Sequence, residues 1–172
     1  MKYDYKTLYE QHAAFYQARP KAKKALLLIN KWLPYFFIVF YCAAFLWLAL
    51  KTKSSFMEQI GFLALPMLAL FIVSILRLAV NRARPFVEGG AGITPLVYKK
   101  ESLYNSFPSR HATSATVIAT VCLPFFPFVG TLLFLLALGV LYTRFATGLH
   151  YPSDLLTGGG IGLLIGLCIF CF

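Results

Sequence analysis

The sequence predicts an all-α, polytopic transmembrane helix bundle of about five spans, preceded by an amphipathic helix lying at the membrane interface. Three observations carry that prediction. Hydrophobic residues make up 59% and charged residues 13% of the 172-residue chain, against about 45–50% and about 25% in soluble domains, and mean hydropathy is +0.72. Uncharged apolar runs long enough to cross a hydrocarbon core recur along the chain. The remaining charge is lopsided, with 16 Lys and Arg against 6 Asp and Glu, which in a membrane protein suits anionic headgroups or a phosphate-bearing substrate. A soluble enzyme and a disordered tail are excluded. Nucleic acid is not an expected partner, because no basic stripe lies on a soluble fold.

Residues 1–31 read as a basic amphipathic segment at the membrane surface. Tyr5, Leu8, His12, Phe15 and Tyr16 recur at helical spacing among lysines and Arg19, with a break at Arg19-Pro20. A solvated basic tail is the alternative. The segment has no early apolar core or small-residue cleavage site, so no secretory signal peptide is expected.

Residues 32–172 read as the transmembrane unit. Trp32–Leu50 is the first span, followed by the basic link Lys51–Lys53, and Gln59–Leu76 is the second. From Ala112 to Thr143 the chain carries no charge, which is too long for one crossing. Pro124-Phe125-Phe126-Pro127 divides it into Ser109–Leu123 and Phe128–Thr147. Pro152–Phe172 is the fifth span. Its Gly158, Gly162 and Gly166 place small residues on one face, which suits close packing within the bundle, with an oligomer interface as the alternative. Cys42, Cys122, Cys168 and Cys171 lie in apolar runs and read as small hydrophobes, with no zinc spacing and no disulfide framework.

Polar residues at span ends are costly unless they pair or work. Arg77 and Arg84-Pro85 follow span two, Pro108-Ser109-Arg110-His111 opens span three, Thr143-Arg144 closes span four, and His150 and Asp154 open span five. Antiparallel crossing puts all four groups on one membrane face. Taken singly, the arginines read as lipid-phosphate anchors, His150 as an interfacial hydrogen-bonding residue, and Ser109 and Asp154 as helix caps. Those readings leave the shared face unexplained.

The set suits phosphoryl chemistry. Arginine binds phosphate oxygens through a planar fork and keeps its charge. Ser109 at an N-cap leaves the amides of Arg110 and His111 facing outward as an anion site. Asp154, four residues after His150, can orient an imidazole and stabilise its cation, while His111 can protonate a leaving group. These are the parts of phosphoryl transfer through a histidine nucleophile, with arginines in place of metal ions.

Arg77-x6-Arg84-Pro85, Pro108-Ser109-Arg110-His111 and Thr143-Arg144-x5-His150-x3-Asp154 resemble the type 2 phosphatidic acid phosphatase superfamily. Its signature is Lys-x6-Arg-Pro, Pro-Ser-Gly-His and Ser-Arg-x5-His-x3-Asp, and three linked motifs in order make the resemblance specific. Arg77 stands in place of lysine, Arg110 in place of glycine and Thr143 in place of serine, and none of these removes a reacting group. The first span usual in six-span relatives is replaced by the basic segment.

The resemblance implies that His150 attacks phosphorus to form a phosphohistidine, Asp154 holds its other nitrogen, and His111 protonates the leaving oxygen. It also implies that Arg77, Arg84 and Arg144 bind the phosphoryl oxygens with Ser109 and nearby amides, and that Arg110 adds a headgroup or second-phosphate contact. No cofactor or metal is expected. The implied substrate is a lipid phosphate or isoprenoid pyrophosphate such as undecaprenyl pyrophosphate, phosphatidic acid or phosphatidylglycerophosphate. The loop Phe86–Phe107, with Glu88, Gly89, Gly90, Tyr98, Lys99, Lys100 and Tyr104, is expected to frame the headgroup. Vanadium haloperoxidases share the constellation but are soluble. An inactive lipid-phosphate binding or transport protein of the same fold is the other alternative. Relatives place the site on the extracytoplasmic face of the cell membrane, which is the expectation here, although the basic residues of 1–31 pull toward the cytoplasm.

Overall fold

Prolines and capping residues set the helix boundaries in the computed structural model of the chain, which describes residues 5–51, 53–87, 89–97 and 103–172. The order is α1 (Tyr5–Gln17), α2 (Pro20–Lys51), α3 (Phe56–Val80), α4 (Arg110–Cys122), α5 (Pro127–Ala146) and α6 (Pro152–Leu167), the last running into a 3-10 turn at Cys168–Cys171. Pro20, Pro127 and Pro152 each begin a helix, where the missing N–H is harmless and the fixed φ is already helical. Ser55 and Glu58 form a reciprocal capping box at the start of α3. Asn81, at φ 43° and ψ 41°, ends α3 in the left-handed conformation and donates its N–H to the Arg77 carbonyl.

The five expected spans are five helices, but among the described residues only four, α2, α3, α5 and α6 with the 3-10 turn that follows it, are long and apolar enough to cross a membrane. The exception is α4, whose 13 residues cover about 20 Å. It lies at the centre of the bundle against α2, α3, α5 and α6 and is buried almost continuously from Ala112 to Cys122. Its threonines need no lipid compatibility, because Thr113, Thr116 and Thr120 return their hydroxyls to carbonyls one turn back.

One expectation is corrected. The helical break does fall at Arg19-Pro20, but residues 20–31 belong to α2, continuous with the first span; only α1 remains as a separate N-terminal element. Its buried stripe is Tyr9 and Ala13, whereas Leu8 and Phe15 are exposed. This stripe packs on Phe86, Ile93 and Leu96 of the loop after α3, while His12 stands edge-on to Phe145 at 5.4 Å. The glycine face of α6 takes the first of its two expected uses, close packing within the bundle. A side chain at Gly162 would collide with the Thr116 hydroxyl and the Thr113 carbonyl, and one at Gly166 with Thr120. That face is therefore filled by α4, sealed by a Thr113 hydroxyl bond to the Gly158 carbonyl at 2.9 Å, and is closed to a second copy of the chain.

Candidate active site

Two loops and two helix ends build the polar cluster. After Asn81 turns the chain, the Arg82 carbonyl accepts from the Ser106 amide at 2.9 Å and the Arg84 amide donates to the Leu103 carbonyl at 3.1 Å. The stretch after α3 is thus paired to the stretch before α4. From the last turn of α3, Arg77 Nη1 donates to the Pro108 carbonyl at 3.0 Å. Arg84 Nη1 crosses to the Leu149 carbonyl at 3.0 Å, and the Ser109 amide donates to the Asp154 carbonyl at 2.9 Å. All the motif segments therefore meet at one end of the bundle, as antiparallel crossing requires.

His150 is 2% exposed. Its Nδ1 lies 3.0 Å from the Ser106 carbonyl and 3.6 Å from Asp154 Oδ2. The sequence pattern pairs His150 with Asp154 directly; here the shorter hydrogen bond goes to the backbone of Ser106 instead. Asp154 is fully buried, and its Oδ2 accepts from the Ser106 hydroxyl at 2.5 Å and from the Tyr151 amide at 3.0 Å. It also caps α6 from the third helical position, a role that places the carboxylate rather than competing with it. Its Oδ1 takes Arg82 Nη1 at 2.8 Å.

Arg144, 4% exposed, donates Nη2 to the Asn30 carbonyl at 3.3 Å, and its Nε has no hydrogen-bond partner among the described residues. A buried guanidinium donor left unmade is costly in a resting fold and suits an anion that arrives later. The Ser109 hydroxyl accepts from the Ala112 amide at 3.5 Å and so caps α4. Arg110 is the exposed first residue of α4, and His111 follows it, half-buried.

Burial dominates the electrostatics. Loss of water pushes the His150 imidazole down to about 4; the Asp154 carboxylate opposes that shift and the nearby Arg84 and Arg144 charges reinforce it. Burial likewise lowers Arg84, with Asp154 opposing and Arg110 adding to the effect, and a guanidinium so placed still keeps its charge. Among the described residues no group of three His, Cys, Asp or Glu could hold a metal ion.

The site contains residues that the motifs do not mark. Arg82, Ser106 and Tyr151 surround Asp154, and α1 lies over the loops. Tyr9 donates to the Thr94 carbonyl and accepts from the Leu96 amide, and Gly148, at φ 78°, leaves room for the Tyr9 ring. The nearness of Ser106 to Pro108-Ser109 and of Arg82 to Arg84 is the only sequence signal for these two. Glu88, Tyr98, Lys99 and Lys100, expected around the headgroup, lie outside the described residues.

The solved structures include two similar proteins. The chain superposes on the LpxE of Aquifex aeolicus with TM-score 0.61 and 25% identity, over 87% of this chain and 94% of that one. It superposes on a transmembrane PAP2 type phosphatidylglycerolphosphate phosphatase from Bacillus subtilis with TM-score 0.58 and 21% identity, over 96% and 86%. No curated protein matches the sequence. The family model described as PAP2 superfamily matches residues 60–172, which span α3 to the last helical turn and include every motif residue. The chain belongs to the PAP2 superfamily.

Proposed function

We propose that this protein is a membrane-embedded lipid phosphatase that removes phosphate from a lipid phosphate or isoprenoid pyrophosphate through a phosphohistidine on His150. The observation that carries the reading is the state of His150. A carbonyl only accepts, so the Nδ1 that faces the Ser106 carbonyl at 3.0 Å holds the proton and Nε2 keeps its lone pair. The depressed basicity keeps that imidazole neutral at physiological pH.

In the proposed reaction Nε2 attacks the terminal phosphorus, the bond from that phosphorus to the leaving oxygen breaks (the ester oxygen of a lipid phosphate, the bridging oxygen of a pyrophosphate), and His111 gives that oxygen its proton. Water then attacks the phosphohistidine and loses a proton to His111. The N–P bond breaks, releasing inorganic phosphate and restoring His150. Arg77, Arg84 and Arg144 stabilise the charge on the phosphoryl oxygens throughout, with Arg110 at the open side of the site. Asp154 stabilises the charge that His150 acquires while phosphorylated. Undecaprenyl pyrophosphate, phosphatidic acid and phosphatidylglycerophosphate are the candidate substrates, and the site faces the extracytoplasmic side of the cell membrane.

The test is inorganic phosphate release by purified protein in detergent with EDTA, over those three lipids, beside His150→Ala. Release that survives EDTA and is lost in the variant supports the reading. Lipid binding without release from any of them supports the inactive binding protein instead.

A further inference from the structure

Arg82 lies between the residues that carry the first motif and matches none of them, yet it touches the segments that carry the other two. Its carbonyl accepts from the Ser106 amide. Its Nη1 stands 2.8 Å from both Ser153 Oγ and Asp154 Oδ1, and its guanidinium lies 4.0 Å over the Tyr151 ring. With Arg82 on Oδ1 and Ser106 and Tyr151 on Oδ2, both oxygens of the buried Asp154 carboxylate are engaged. An unengaged carboxylate would be the strongest acceptor for the His150 Nδ1 hydrogen.

We propose that Arg82 is a positioning residue of this site: by holding Asp154 against Ser106 it directs the Nδ1 hydrogen of His150 to the Ser106 carbonyl and leaves Nε2 as the nucleophilic lone pair. The inference rests on the reading of His150 as nucleophile. Its consequence has a sign. Loss of the Arg82 cation leaves a buried carboxylate with one strong partner fewer, which draws a proton onto His150 and raises its basicity. The other groups that bear on this pair stay in place. They are Arg84 from the loop after α3, Arg144 from α5, Tyr5 from α1 and Arg77 from α3, together with Tyr151 itself. The lost cation therefore sets the direction. Lysine at position 82 restores the charge but not the fork that reaches Ser153 and Asp154 while stacking on Tyr151.

The experiment measures lipid phosphate hydrolysis against pH for wild type, Arg82→Gln, Arg82→Lys and Ser106→Ala, with thermal melting of each in detergent. In Arg82→Gln the expected result is a fall in kcat of about 10- to 100-fold with KM changed by less than about threefold. The acid limb of kcat/KM moves toward neutral pH by about one unit, and Arg82→Lys returns the limb most of the way. Ser106→Ala removes a donor from Asp154 without removing a charge and moves the limb the same way. If Arg82→Gln does not fold, Ser106→Ala decides the matter, and a limb left at the wild-type position overturns the inference. A folded Arg82→Gln that changes neither kcat nor the limb, or raises KM alone, also overturns it. A wild type silent on every lipid overturns the proposed function and this inference together, whereas an active wild type with an indifferent Arg82→Gln overturns this inference alone.

Discussion

The Nδ1 nitrogen of His150 lies closer to the backbone carbonyl of Ser106, at 3.0 Å, than to the carboxylate of Asp154, at 3.6 Å. The carbonyl fixes the tautomer by geometry, and the carboxylate supplies charge at longer range, where it stabilises an imidazole that has become positive. In the proposed mechanism, nucleophilicity and charge stabilisation are thus assigned to different groups.

This arrangement predicts a pH dependence. Burial holds His150 at about 4 in the folded protein against about 6.5 unfolded, so the unfolded chain binds the extra proton first as pH falls. The His150 contribution to stability is complete above about pH 6.5 and is lost as pH falls toward 4. Thermal melting in detergent over that range is expected to show wild type losing stability more steeply than His150→Gln. The acid limb of kcat/KM belonging to His150 lies well below 6.5.

Asp154→Asn keeps the shape of the side chain but removes the charge that holds Arg82, Ser106 and the developing histidine cation. The expected loss in kcat is roughly 10³-fold or more, the scale on which a carboxylate that orients a catalytic imidazole acts in other hydrolases. Steady-state kinetics with a lipid phosphate check it. Retention of a tenth of wild-type kcat would remove Asp154 from the mechanism.

Arg144→Lys separates charge from geometry. Arg144 is buried, its Nε donor has no partner among the described residues, and lysine offers a point charge in place of a fork. A fall in kcat/KM of about 10²- to 10³-fold is expected if that donor meets the phosphoryl oxygens in the transition state. Phosphate release across substrate concentration measures it.

Gly162→Val tests the packing that carries the site. The added side chain has no room between Thr113 and Thr116, so α6 must move away from α4 and take Asp154 with it. A stability loss of about 1–3 kcal/mol is expected as an earlier melting transition, with activity falling in parallel. Gly160→Ala, where a Cβ meets nothing within 4 Å, is expected to melt like wild type.

The five helices α2 to α6 run alternately through the bundle, which places α1 and the site at one end and the α2–α3 link at the other. In a cysteine-free background in whole cells, Gln17→Cys is expected to react with an impermeant maleimide and Lys53→Cys only with a permeant one. The opposite pattern puts the site in the cytoplasm.

The spans were legible because lipid forces long apolar helices and because Pro20, Pro127 and Pro152 mark helix starts. The convergence of Arg77, Arg84, Ser109, Arg144, His150 and Asp154 was legible from antiparallel crossing alone. Hydropathy misleads about α4, since a helix surrounded by protein can be short and threonine-rich. It also cannot show that residues 20–31 continue α2, because a basic, half-apolar stretch reads the same on a surface and at the head of a span. Arg82, Ser106 and Tyr9 were hidden for a different reason. Arg82 and Ser106 tie the stretch between α3 and α4 to the start of α6, and Tyr9 ties α1 to that stretch, whose sequence has no periodicity from which such a pairing can be read.

The central claim is that hydrolysis proceeds by two displacements at phosphorus, the first by His150. The most direct measurement is the stereochemical course of hydrolysis of a lipid phosphorothioate made chiral at phosphorus by oxygen isotopes. Two in-line displacements predict net retention of configuration in the released thiophosphate. Net inversion would mean that water attacks the substrate directly, and it would contradict the account.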